Sequence, residues 1–97
     1  MNLTDFTPNP IDNNGTQVLL DFKKYELSII KSEFSYGGKQ GLYEIGVWAV
    51  GDYGIDMVEL EGITSPGDTV KGYLTEAKVN DIIKSMSDLT KETPKQI

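Results

Sequence analysis

The sequence predicts an α+β domain: a three- or four-stranded antiparallel sheet, connected as a meander, with one C-terminal amphipathic helix packed on one face. Three observations predict it. Apolar residues alternate with a period of two along residues 17–22, 25–31 and 42–50. Helical spacing arises near the C-terminus, at Val79, Ile82, Ile83 and Met86. Turn residues punctuate the chain between these segments.

In chain order, residues 1–15 hold Pro8, Pro10, Asn13, Asn14 and Gly15 and read as an irregular arm. Leu3, Phe6 and Ile11 are the side chains that would pin this arm to the body. The folded domain is expected over 16–89, followed by a polar tail over 90–97. The first strand, 17–22, places Val18, Leu20 and Phe22 on one side. The second, 25–31, does the same with Tyr25, Leu27 and Ile29. Only Lys23 and Lys24 separate the two strands, which implies a hairpin. Two lysines suit a type I′ turn poorly, because both central residues need positive φ, so a connection wider than two residues is expected.

Residues 33–41 contain Gly37, Gly38 and Gly41 and read as a loop with unusual backbone angles. Strand 42–50 carries two rows: Tyr43, Ile45, Val47 and Ala49 on one side, Leu42, Glu44, Gly46, Trp48 and Val50 on the other. Its one charge is Glu44, so a central strand buried on both faces is expected. A turn at 51–54 and a short strand at 57–60 follow. Residues 69–74 are extended towards the helix. Thr75 is a good N-cap, with Glu76 in the first turn, and the helix runs over 75–89, about 21 Å. Leu89 extends its apolar stripe, which reads as core rather than as a peptide-recognition face. One helix covers one side of a sheet. The other side needs the arm, a second subunit or a partner over it.

Composition narrows the chemistry. The chain has no His, Cys or Arg, which removes the neutral-pH titrating group, the thiolate nucleophile and the bidentate phosphate clamp. It reads as a binding protein rather than an enzyme, with no catalytic residue, cofactor or metal expected. Net charge −6 argues against direct nucleic-acid binding and against anionic membranes. The acidity serves solubility; an acidic face competing with nucleic acid for a basic protein is the sharper reading. The N-terminus has no basic region followed by an apolar one, and no apolar run is long enough to span a membrane, so a cytoplasmic setting is expected.

Several short motifs occur in a fixed order: Tyr36-Gly37-Gly38, Gly41-Leu42-Tyr43-Glu44 and Asp68-Thr69-Val70-Lys71-Gly72-Tyr73-Leu74-Thr75-Glu76. Across residues 20–89 the chain resembles a family of small uncharacterised proteins of tailed bacteriophages and prophages. It departs from that pattern where Phe22-Lys23-Lys24-Tyr25 replaces an Asn-Gly turn. The resemblance implies a phage or mobile-element origin and transfers no catalytic residue. By association with small phage accessory proteins, it suggests a chain that binds and modulates or inhibits a host protein, including a defence component, inside the host bacterial cell.

The candidate binding residues are Tyr36, Gly37, Gly38, Lys39, Tyr43 and Trp48. The loop 37–41 invites an anion nest with Lys39 adding charge, yet the phosphate-loop pattern is absent and a strand follows instead of a helix. A structural hairpin loop, or an exposed contact tip bearing Tyr36 and Lys39, are the competing readings. Trp48 suits a core or a dimer contact. Asp52, Asp56, Glu59 and Glu61 lack calcium-loop spacing and read as a solvated turn. Two alternatives to host modulation stay open: a homodimeric structural protein, and a small-ligand or nucleotide sponge using the glycine loop.

Overall fold

A seven-stranded antiparallel sheet carries one helix on one side, in a computed structural model that describes residues 1–97. The strands are β1 (Asn9–Ile11), β2 (Gly15–Asp21), β3 (Tyr25–Lys31), β4 (Tyr43–Gly51), β5 (Gly54–Met57), β6 (Val70–Leu74) and β7 (Lys95–Gln96); the helix is α1 (Glu76–Thr90). The sheet order is β1-β2-β3-β4-β5, with β6 added to β4 and β7 added to β2. The fold class is the expected α+β, but the strand count exceeds the expected three or four. The additional strands are short. They borrow their hydrogen bonds from the flanks of β2 and β4, and a stretch of two to five residues has too little periodicity to read.

The three long strands lie side by side as the alternation requires. Leu20 faces Leu27, which faces Val47; Val18 faces Ile29, which faces Ile45. The β2–β3 connection is tighter than expected. Phe22 donates its N–H to the Tyr25 carbonyl at 2.8 Å, and of the two lysines only Lys23 has positive φ, at 71°. The Lys24 N–H donates to the Phe22 carbonyl at 2.9 Å, which closes a γ-turn on Lys23 and avoids the double requirement of type I′. The Asp21 carboxylate accepts the Lys23 N–H at 2.7 Å and supports the turn.

Helix α1 begins where its cap predicts. Thr75 is extended, and its hydroxyl accepts the Lys78 N–H. Val79, Ile82, Ile83 and Met86 are buried against the sheet. Leu89 is not part of that stripe: it is 54% exposed.

The arm and tail are more ordered than an irregular arm and a polar tail imply. A 3-10 turn at Leu3–Asp5 and strand β1 organise the arm. Leu3 and Phe6 join the core cluster, and the Leu3 N–H donates to Asn80 Oδ1 on α1 at 2.8 Å. The tail returns as β7, and Gln96 exchanges hydrogen bonds with the Thr7 backbone. Both Leu3 and Phe6 therefore reinforce the side that α1 already covers.

Candidate functional site

The residues that do not belong to the core define the site. Along β4, Tyr43, Ile45, Val47 and Ala49 turn towards α1, with Ile45 and Val47 fully buried. The alternate row turns away from it. No helix or arm residue equivalent to Leu3 or Phe6 lies over that second row. Ile11 covers one corner only, where it packs against Gly15.

Pairing assembles an apolar patch on this open face. Trp48 lies opposite Met57, Val50 opposite Ile55, and Gly46 opposite Val70. Side chains directly opposite share a face. Gly46 has a steric role here: a Cβ built on it would stand 3.3 Å from the Met57 methyl and 3.5 Å from a Val70 methyl. The absent side chain lets Met57 and Val70 approach each other over the backbone of β4. Trp48 is half-buried, while Val50, Ile55 and Met57 are 44%, 43% and 39% exposed. The expectation that β4 is buried on both faces is thus corrected. It is central in hydrogen bonding, yet one of its faces is open.

Carboxylates flank the patch. Asp21 lies directly opposite Glu26, which lies opposite Trp48. Like charges across a pair repel, so this arrangement does not serve the sheet. Lys95 faces Asp21 across the β7 pairing, but the chain's one ion pair is Lys23 with Glu92, at 3.4 Å. Glu26 has no ion-pair partner. Glu44 accepts the Tyr36 N–H at 2.7 Å and so anchors the glycine loop to β4.

The residues singled out from sequence do not form one site. Trp48 is on the open face. Tyr43 is on the helix side, where the Lys31 ammonium stands 4.8 Å from the centre of its ring. Tyr36 is exposed at the end of the sheet, and its carbonyl accepts the Tyr73 N–H. Gly37 and Gly38 are structural. Gly37 has φ 89°, and a Cβ on Gly38 would lie 1.6 Å from the Ser32 carbonyl oxygen. The N–H groups of Gly38, Gln40, Gly41 and Leu42 donate within the loop, to Ser35, Gly37, Gly38 and Gly37 respectively. The loop therefore presents no row of unused donors of the kind an anion nest needs, and Lys39 is an exposed charge beside it.

The remaining concavities are less well suited to binding. A cavity of about 370 Å³ lies between the arm and the sheet, lined by Leu3, Phe6, Val18, Ile29, Lys31 and Tyr43. Its walls Leu3, Phe6, Val18 and Ile29 are already buried, so an apolar ligand gains little new contact there. Asp52, Asp56, Glu59 and Glu61 do not converge on a common point for a cation.

Ile55, Met57 and Val70 were missed as site residues. Their signal was Gly46: a lone glycine inside an apolar strand marks a close approach from a neighbour. Comparison with protein-family models, with curated proteins and with solved structures found no match to this chain.

Proposed function

We propose that this chain is a non-enzymatic accessory protein of phage or mobile-element origin that binds a host protein through the open face of its sheet and modulates or inhibits it. One observation carries the reading: α1, Leu3 and Phe6 all pack on the same side, leaving Trp48, Val50, Ile55 and Met57 on a face with no cover. A contiguous apolar patch rimmed by charge is the usual form of a protein contact site, and tryptophan is enriched among residues that dominate such contacts. The ordered Tyr-Gly-Gly, Gly-Leu-Tyr-Glu and Gly-Tyr-Leu-Thr-Glu motifs support the phage origin.

The experiment is retention of host proteins from a bacterial lysate on immobilised wild type and on Trp48→Ala. A protein held stoichiometrically by the wild type and lost with Trp48→Ala is the expected outcome. Equal retention by both, or none by either, counts against the proposal. The acidic rim favours a basic contact surface on that protein.

A further inference from the structure

The open face ends at a strand whose outer edge is bare. Strand β5 pairs with β4 on one side and with nothing on the other. All four of its residues are exposed. The ladder phase shows which groups are unused. Val58 donates to the Val47 carbonyl, which makes Val47 and Val58 a hydrogen-bonded pair. Hydrogen-bonded pairs recur every second residue in an antiparallel ladder, so Asp56 with Ala49 and Gly54 with Gly51 are bonded. The N–H and C=O groups of Ile55 and Met57 therefore point outward, away from the sheet. Its only protections are shortness and the single charge of Asp56: Gly54–Met57 contains no Lys or Pro and has no segment paired over it.

The two sides of this edge have opposite character. On the open face it presents Ile55 and Met57, adjoining Val50 and Trp48. On the reverse it presents Asp56, with Asp52 in the turn before it; residues 50–61 hold four carboxylates and no lysine. An added strand places alternate side chains on alternate faces. One set then meets Ile55 and Met57, and the other meets Asp56.

From this we infer that β5 is a strand-addition site for an extended segment of a partner protein that alternates apolar and basic residues. The inference rests on the proposed binding face and names the chemistry of what docks beside it. Main-chain hydrogen bonds to Ile55 and Met57 supply the pairing, and the alternation supplies the specificity. A second copy of the chain is the poorer occupant. In a two-fold antiparallel pairing of β5 with itself, Asp56 comes opposite or diagonal to a carboxylate of the other copy, Asp56 or Asp52, and each chain carries net charge −6.

The test uses the full chain with synthetic peptides of about eight residues, a common strand length. One alternates lysine and valine, a second has the same composition in two blocks, and a third alternates glutamate and valine. Binding is read by amide hydrogen exchange and by Trp48 fluorescence. The alternating basic peptide is expected to slow exchange at the Ile55 and Met57 amides, and the other two are not. Ile55→Pro removes one outward N–H without breaking the ladder, and is expected to weaken binding about fivefold, the equivalent of one net hydrogen bond. Asp56→Lys serves as a second variant that keeps every backbone donor, and it too should weaken binding. Peptide binding with a Trp48 response but no protection at Ile55 and Met57 overturns strand addition while leaving the face as a docking surface. No binding of the alternating basic peptide overturns it as well. Concentration-dependent protection of the same amides without peptide identifies a second copy at the edge and also overturns it. Loss of a host protein with Trp48→Ala but not with Ile55→Pro assigns the contact to the face alone, which keeps the two failures distinct.

Discussion

The two faces of this sheet are built from the same strands and have opposite fates. On the helix side, Leu20, Leu27, Val47 and Ile45 are fully buried beneath α1. On the other side, Trp48, Val50, Ile55 and Met57 meet solvent, beside the opposed carboxylates Asp21 and Glu26. Successive residues of β4 alternate between these environments, so a displacement of one residue separates a core side chain from one on the open face. The difference shows that the chain has committed its one helix together with Leu3 and Phe6 to a single side. Ordinary burial would have divided them.

The comparison can be broken by substitution. Leu27→Ala, between Leu20 and Val47, is expected to cost about 3 kcal/mol of folding stability, in the range for fully buried leucines. Val50→Ala, on the opposite row of the sheet, is expected to cost under about 1 kcal/mol, because 44% of its surface is never withdrawn from water. Urea unfolding of the two variants gives both values. Similar losses would mean that the open face is packed in solution and that the contrast is wrong. A smaller effect sharpens the electrostatic half of the comparison. Glu26→Gln removes the repulsion with Asp21 and should raise stability by about 0.5 kcal/mol at low salt, with the gain shrinking as salt is added. A stability loss on this substitution would show that Glu26 makes a favourable contact within the chain.

Much of this architecture was legible in the residues. The alternation in β2, β3 and β4 placed the core rows, and Thr75 with Val79, Ile82, Ile83 and Met86 placed the helix to within a residue. The short strands were not legible, because β1, β5 and β7 exist through pairing with β2 and β4 rather than through their own pattern. The fourth strand was expected at 57–60 and lies at Gly54–Met57, since the tight turn at Asp52 and Tyr53 lets pairing begin at once. For the site, Trp48 stood out by residue type. Met57 and Val70 did not, because their proximity depends on two separate strands meeting the same edge of β4. Tyr43 stood beside Trp48 in a list of candidates yet faces the opposite way. No composition argument distinguishes two aromatic residues of one strand until the helix has chosen its side.

Trp48 is the sole tryptophan, so its fluorescence reports on the open face alone. Acrylamide quenching of the isolated chain, followed from low to high micromolar concentration, tests most directly whether that face is uncovered. Partial quenching and an emission between those of buried and fully solvated tryptophan, unchanged across the series, are the predicted result. A blue-shifted emission that resists quenching at every concentration would place part of the chain over Trp48. The same shift developing with concentration would place a second copy there. Either would contradict a face held open for another protein.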